Sequence, residues 1–371
     1  MRDVIVVGAG PAGSMAAWAA ARAGCDVLIL ERRAEVGAPK QCAEGISARA
    51  LREAEVPTDG PWIAQEIRRG ILAVPSPDGL RTFEAEGIHG YVLERKLFDR
   101  WLAARAVEEG AELRLLVEAR GVLLEGGRVV GVKTSEGRVR AEVVIAADGI
   151  ESRVGRSAGL VPPLRPDELC TCAQYEVVGR VRYEDAFAIL FDPDRVPGGY
   201  AWTFPKGADR ANVGVGCRGR SPRKLLDELL RGPLSRLVEG ARPVELNVGG
   251  VPVCGPLERT YDDGILVVGD AARQVNPLTG GGLNAALICG RIAGEVAAEA
   301  VSEGDPSAER LREYQERWEK ELGETFEVAR EAAEAVVGTS TEEVLEFLEG
   351  VEEGLEEVLR SAGVLERQWW G

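Results

Sequence analysis

Hydrophobic and polar positions follow two rhythms along this chain. Asp3 to Val7 is a short β-branched run ending at a glycine turn, Ala12 to Ala23 is helix-forming, and Asp26 to Leu30 is a second apolar run. Parallel strands covered on both faces read as continuous apolar stretches, so this segment predicts a βαβ unit. The pattern loosens from Lys40 to Pro61, and Pro75 to Gly79 predicts a turn between two short strands. Tyr91 to Glu109 carries apolar residues at 93, 97, 98, 101, 102 and 106, with Gly110 after it, and predicts a helix. Strands are expected at 112–117, 121–124, 128–134 and 138–146, with Gly126-Gly127 and Glu136-Gly137 as hairpin turns.

From Cys172 to Val253 the alternation becomes β-like, interrupted by a helix around 223–237. Asp263 to Gly269 restores a buried strand, and Gly282 to Val301 predicts a helix. Two further helices are expected in the tail. The first has Asp305-Pro306 as N-cap and first-turn proline, with apolar positions at 311, 314, 318, 322, 326 and 329. The second opens at Ser340-Thr341-Glu342-Glu343, which has capping-box form, and places 344, 348, 351, 355 and 359 on one face.

Composition narrows the function. The 371 residues are 45% hydrophobic and 29% charged, ordinary values for a globular protein. A net charge of −16 repels phosphate backbones and anionic lipid surfaces. Nucleic-acid binding is thereby disfavoured, and any membrane contact must be local and mostly apolar. One histidine, His89, leaves no multi-histidine metal site, and no metal is expected. The hard chemistry then falls to an organic cofactor. Seven cysteines without a CxxC pair suggest a reducing cytosol. The apolar segment Leu283 to Val301 is broken by Arg291, Glu295 and Glu299, and the N-terminus runs straight into a strand without a signal-peptide pattern. A cytoplasmic protein is expected, with transient peripheral contact at the inner face of the membrane.

Three blocks carry chemistry. Gly8-Ala9-Gly10-Pro11-Ala12-Gly13 forms GxGxxG between the first strand and helix, and Glu31 ends the second strand. The glycines allow a tight turn and close approach to a pyrophosphate, the helix N-terminus supplies a positive dipole, and Glu31 can accept hydrogen bonds from a ribose diol. A bound ADP moiety follows, and Glu31 argues against a 2′-phosphate there. The second block, Asp148-Gly149 at the end of a buried strand, fits a ligand-contacting turn or simply a tight one. In the third, Asp270 can accept a ribityl hydroxyl, while Gly280, Gly281 and Gly282 let the backbone approach a flat ring at the helix opened by Leu283. The glycines of this block taken alone fit a structural turn equally well.

In this order the three blocks resemble the fingerprints of FAD enzymes with the para-hydroxybenzoate hydroxylase fold. More closely, the chain resembles the archaeal geranylgeranyl reductases, the digeranylgeranylglycerophospholipid reductase family. The added matches are Lys40 to Ser47, Gly90 to Asp99, and Tyr200-Ala201-Trp202-Thr203-Phe204-Pro205 followed by Gly214-Val215-Gly216. The resemblance implies an α/β fold: a Rossmann-like FAD-binding domain with a parallel sheet and β-meander (1–165 and 255–303). An antiparallel-sheet substrate domain (166–254) and a C-terminal helical region (304–371) complete it.

Position by position, the resemblance places Gly8, Gly10, Ala12 and Gly13 along the pyrophosphate and Glu31 on the adenosine ribose. It places Cys42, Ala43 and Gly45 beside the flavin, Arg95 at its phosphate or ribityl region, and Ala119 at the adenine. Asp270, Gly282 and Leu283 hold the ribityl chain and ring. Where the family shows Cys-Gly-Glu, this chain has Cys42-Ala43-Glu44. The residues by themselves also allow Arg95 as a surface charge and Cys42 as a packing residue. Tyr200, Trp202 and Phe204 share one strand face, which alone reads as core and in the family context as the wall of a polyprenyl cavity.

The implied activity is saturation of isoprenoid C=C bonds by reduced FAD, with Cys42 or an ordered water as proton donor. The electron donor is ferredoxin or NAD(P)H, since no second GxGxxG followed by an acid marks a dedicated nicotinamide domain. Two alternatives stay open from the sequence: a flavin monooxygenase acting on an apolar substrate, and a lipid-binding protein that retains FAD structurally.

Overall fold

The computed structural model describes residues 1–350. The chain folds as two compact units: Met1–Ala38 with Lys96–Leu164 and Pro252–Glu327, and Pro39–Arg95 with Arg165–Val251 and the described residues from Val328.

The first unit is organised by a parallel sheet. Strands Ile265–Val267, Gly137–Ala146, Arg2–Val7, Val27–Leu30 and Glu112–Arg114 lie side by side in that order, with Tyr261–Asp262 antiparallel at one edge. Because side chains alternate along a strand, each apolar run serves two cores. Val4, Val6, Val27, Ile29, Val143 and Ile145 pack with the helices Pro11–Arg22 and Leu283–Glu303. Ile5, Leu28, Leu30, Val144 and Ala146 turn the other way, onto the meander of Ala119–Glu125 and Arg128–Thr134.

The two helices meet backbone to backbone. A Cβ added at Gly290 would lie 2.4 Å from the Ala12 carbonyl oxygen, and one at Gly294 only 2.2 Å from that of Ala16. The Gly290 and Gly294 pair, one turn apart on the same helix face, is therefore required by packing.

The second unit carries a seven-stranded sheet in the order Val238–Pro252, Leu169–Val181, Arg210–Cys217, Tyr200–Pro205, Ala186–Leu190, Arg69–Ser76 and Gly79–Ala85. A smaller sheet joins Gly45–Ser47, Gly90–Leu93 and Ile63–Ile67. One face of the large sheet, with Ala173, Val177, Ala201, Val213 and Val215, packs against Leu225, Leu226 and Leu229 of helix Pro222–Arg231. Directly opposed residues share a face, so the register sets Cys172, Gln174 and Glu176 in rows with Gly216, Gly214 and Asn212 and then Tyr200, Trp202 and Phe204 on the other face.

Three local expectations are corrected. Tyr91 to Leu93 does not open a helix: it belongs to the strand Gly90–Leu93, whose backbone is paired on both sides, and the helix starts at Arg95. The loosely patterned stretch after Lys40 contains the strand Gly45–Ser47 and the helix Ala48–Glu53, capped by the Ser47 hydroxyl at 3.1 Å from the Ala50 amide. The first tail helix runs Ala308–Ala335 and is capped by Ser307, whose hydroxyl accepts from the Arg310 amide, while Asp305 accepts from the Ser307 amide instead.

All six of its predicted apolar positions, Leu311, Tyr314, Trp318, Leu322, Phe326 and Ala329, are buried. Ser340 and Glu343 form the expected reciprocal capping box, and Val344 and Leu348 of helix Thr341–Gly350 pack with Leu72, Val74 and Phe83. Positions 351, 355 and 359 of the predicted apolar face lie outside the described residues.

Candidate active site

The expected cofactor residues fall into two sets, one in each unit. In the first unit, Gly8 has φ +100°, and a Cβ there would sit 2.4 Å from the Ala147 carbonyl oxygen. A Cβ on Gly13 would fall 1.9 Å from the Gly8 carbonyl oxygen. Both glycines thus shape the turn and seat the helix on the strand. Gly10 differs, because a Cβ there would meet nothing within 4 Å. Helix Pro11–Arg22 also has no side-chain cap, so its first N–H groups face that open side with the positive end of the helix dipole.

Glu31 holds the same turn, accepting from the Ala9 amide at 3.0 Å and from the Arg33 amide at 2.8 Å. Each carboxylate oxygen keeps a second lone pair for a ribose hydroxyl. Ala119 begins its strand opposite Thr134 and is buried. Asp148 resolves toward the bland alternative. Its carboxylate accepts from the Ser152 hydroxyl at 2.9 Å and the Val154 amide at 2.9 Å, tying down the short helix Arg153–Ser157, and burial pushes its acidity down.

The third block converges on the first. A Cβ on Gly269 would lie 2.9 Å from that of Ala12, and one on Gly282 would lie 3.2 Å from Asp270 Oδ1. Asp270, Gly282 and Leu283 therefore meet at the uncapped N-terminus of helix Leu283–Glu303. Asn276, in the same loop, uses its Oδ1 to accept from the Leu278 and Thr279 amides and leaves a buried Nδ2 without an acceptor. Open space over Gly10, two uncapped helix N-termini, a paired carboxylate at Glu31 and an orphaned amide donor fit a dinucleotide with a polar ribityl chain.

In the second unit Cys42, Ala43 and Glu44 form a turn that is tied to the large sheet residue by residue. The Cys42 carbonyl accepts from Gln174 Nε2 at 3.0 Å, and the Ala43 carbonyl accepts from Asn212 Nδ2 at 3.1 Å. Glu44 adopts φ 74°, uncommon for a residue with a Cβ, and its amide donates to Cys42 Sγ at 3.2 Å. Its carboxylate accepts from the Arg95 amide at 2.8 Å and from Asn212 Nδ2 at 2.7 Å. The methyl at Ala43 leaves these backbone contacts intact. Gly45 is required by packing, since a Cβ there would press to 3.0 Å on Phe187 and 3.1 Å on Phe204.

Around Glu44 sits a buried charge cluster that sequence reasoning did not find. Lys40 Nζ lies 3.1 Å from Glu44, 2.6 Å from Glu176 and 3.4 Å from Glu245. Lys206 Nζ lies 2.6 Å from Glu44, 2.9 Å from Glu94 and 3.3 Å from Glu176, and Arg210 reaches both Glu94 and Glu176.

Burial opposes the charge on Glu176, yet the hydrogen bond from Lys40 and the nearby Lys206 outweigh it and bring its pKa down to about 2. Burial likewise opposes the charge on Glu44, but Lys206 and Lys40 hold it below the usual carboxylate range. Burial also works against the Lys40 ammonium, and Glu44 and Glu176 nevertheless raise it above its usual range. At neutral pH these groups are fixed charges. Lys40 is spent on carboxylates and does not serve as a free cation for the Cys42 thiol.

Tyr200, Trp202 and Phe204 share one face as the alternation predicts. The rings of Phe204 and Phe187 lie 4.6 Å apart, and those of Tyr200 and Trp202 meet edge-on at 6.0 Å. The register explains the two glycines of the Gly214-Val215-Gly216 block. The Trp202 indole lies over Gly214, where a Cβ would be 2.2 Å from the ring, and its Nε1 reaches across to Gln174 Oε1 at 2.9 Å. Gly216 makes room for the sulfurs of Cys170 and Cys172. The sequence signal for Gln174 and Glu176 is weak: they alternate with Ala173, Tyr175 and Val177, a pattern that reads as one polar, solvent-facing strand face.

A family model described as FAD dependent oxidoreductase matches residues 3–160. The chain is an oxidoreductase with FAD as its cofactor. A second model, geranylgeranyl reductase catalytic domain, matches residues 168–251. The chain is 66% identical to digeranylgeranylglycerophospholipid reductase 1 of Methanopyrus kandleri, over 100% of this chain and 99% of that protein. It is 58% identical to reductase 2 of the same organism, over 96% and 92%. A solved geranylgeranyl bacteriochlorophyll reductase-like protein from Thermoplasma acidophilum superposes with a TM-score of 0.88 at 33% identity, covering 96% of this chain and 91% of that one. The chain belongs to the geranylgeranyl reductase family.

Proposed function

We propose that this chain saturates isolated C=C bonds of geranylgeranyl chains in ether lipids such as 2,3-di-O-geranylgeranylglyceryl phospholipids, in the synthesis of archaeal membrane lipids. The observation that carries this function is the sheet face of Gln174 and Trp202, inside the segment matched by the reductase model, to which the Cys42 turn is tied through the Gln174 side chain.

FAD, when bound and reduced, supplies the hydride equivalent for a double bond that has no oxygen to polarise. The glycine turn, Glu31, Ala119, Asp270, Gly282 and Leu283 would hold the cofactor, and Cys42, Ala43, Gly45 and Arg95 would hold it as well in the role that the resemblance assigns them. Tyr200, Trp202 and Phe204 offer apolar area to a prenyl chain and exclude water from it, so that positioning does much of the work. Cys42 Sγ is the candidate for proton delivery to the second alkene carbon, with an ordered water as the other donor.

Reducing equivalents come from ferredoxin or NAD(P)H, and the lipid is collected by transient peripheral contact at the inner membrane face. Among the described residues no helix is long and apolar enough to cross a membrane. Anaerobic incubation of dithionite-reduced holoenzyme with an unsaturated archaeal ether lipid, followed by mass spectrometry, should show stepwise gains of two hydrogens. Oxygen uptake coupled to a hydroxylated product would overturn the reductase assignment. A Cys42→Ala enzyme turning over at a near-normal rate would remove the thiol as proton donor.

A further inference from the structure

We propose that Gln174 is a positioning residue that locks the Trp202 indole and the Cys42 turn into one fixed relation through its single carboxamide. This role rests on the assignment of that turn and the aromatic face to the reaction site. Gln174 is buried, with its Oε1 2.9 Å from Trp202 Nε1 and its Nε2 3.0 Å from the Cys42 carbonyl oxygen. The indole N–H can only donate and the carbonyl can only accept, so one amide orientation alone satisfies both. A carboxylate, a thioether or a hydrocarbon of the same length cannot do so.

The register makes the bridge possible. Gln174 stands opposite Gly214, and Gly214 stands opposite Trp202, so the carboxamide reaches across a strand position that has no side chain. The same glycine lets the indole lie flat, with the Gln174 bond holding its N–H end. Neighbouring ties act differently. Asn212 fixes the Ala43 carbonyl and the Glu44 carboxylate, and Lys40 and Lys206 fix Glu44 through charge. Those bonds would hold the turn on the sheet whatever the indole did, whereas Gln174 is bonded to both.

The test uses holoenzyme carrying Gln174→Met, which loses both bonds, and Gln174→Glu, which has nearly the same shape and loses the donor to Cys42. Displacement of reacting groups by a fraction of an ångström to an ångström should lower kcat by about 10- to 100-fold. The KM for lipid should stay within about threefold, because little ground-state binding is removed. Alkylation of Cys42 by iodoacetamide, read by peptide mass spectrometry across pH in flavin-free and flavin-loaded protein, should change rate in both variants. In a Trp202→Phe background, Gln174→Met should cost less than about twofold more, since one end of the bridge is already gone.

Gln174→Met protein that retains FAD and wild-type thermal stability, yet shows wild-type kcat and Cys42 alkylation, overturns the proposal. So do Gln174→Met and Trp202→Phe losses that simply multiply. If Gln174→Met fails to fold, Gln174→Glu decides by the same criteria. Full turnover and unchanged KM in Trp202→Ala and Phe204→Ala would instead remove the reaction-site assignment itself. Losses in those two variants beside a neutral Gln174→Met reject only the bridge.

Discussion

Lys206 Nζ lies 2.6 Å from Glu44 Oε2, and neither side chain is exposed to solvent at all. Removing one partner of a buried pair leaves the other charge short of compensation, which costs more than the pair itself contributes. Lys206→Met should therefore destabilise the protein by about 3 kcal/mol. The double variant Lys206→Met/Glu44→Gln should recover part of that loss, with a coupling of about 1–3 kcal/mol. Urea unfolding of the four proteins checks this, and strictly additive losses would contradict it.

The same cluster sets a pH dependence whose sign follows from Glu176, with a pKa of about 2 against an ordinary 4.5, and from the lowered Glu44. The unfolded chain binds protons at these groups first as the pH falls, so their stabilisation is present above about pH 4.5 and is lost toward pH 2. Lys40, raised by its carboxylates, keeps its contribution up to its ordinary 10.5 and loses it only at still higher pH. The melting temperature should fall steeply below about pH 4.5, and less steeply in Glu176→Gln. Identical acid slopes in the two proteins would exclude this origin.

Glycine substitutions should have opposite signs in two helices. Gly294→Ala drives a methyl to 2.2 Å from the Ala16 carbonyl oxygen, an overpacking that should cost about 1–3 kcal/mol and weaken FAD retention. Gly323 lies within Ala308–Ala335, where an added Cβ meets nothing closer than 3.9 Å. Gly323→Ala should stabilise by about 0.5–1 kcal/mol through helix propensity. Melting temperatures of both variants decide the matter.

Gly214→Ala is a test of the aromatic face that changes none of its aromatic residues. The new methyl would occupy space 2.2 Å from the indole ring and force Trp202 off its bond to Gln174. Lipid turnover should drop about 10- to 100-fold while FAD binding persists. Wild-type turnover with the methyl in place would show that the indole's seat is irrelevant to the reaction.

The cofactor turns were legible because their chemistry is local. Gly8 to Gly13 and Glu31 act through a single βαβ unit, and the αL and close-contact demands on Gly8 and Gly13 can be met only by glycine. Tail positions 311 to 329 were legible for the same reason, as one helix face.

The Gln174 bridge and the Glu44 cluster were not legible. Gln174 reaches Trp202 across 28 positions and Cys42 across 132, and both contacts depend on strand register, which alternation alone does not set. Lys40, Glu94, Glu176 and Lys206 come from separate elements, and on its own strand or loop each reads as an ordinary surface charge. Gly90 to Leu93 misled because four apolar residues before a true helix extend its period. Only pairing with Ile63–Ile67 and Gly45–Ser47 reveals the strand.

The chain passes between its two units five times, at 38/39, 95/96, 164/165, 251/252 and 327/328. During synthesis neither unit can close early. The Arg2–Val7 strand and helix Pro11–Arg22 emerge first, but the helix that covers Ala12 and Ala16 ends at Glu303. At roughly 5–20 residues per second, the nascent N-terminal helix waits on the order of 15–60 s for its partner. Fragments ending anywhere before that helix expose the apolar face of Ala12, Ala16 and Ala19, so truncated versions should aggregate or be degraded. Chaperone capacity, more than final stability, would then limit the yield of this enzyme in a foreign host.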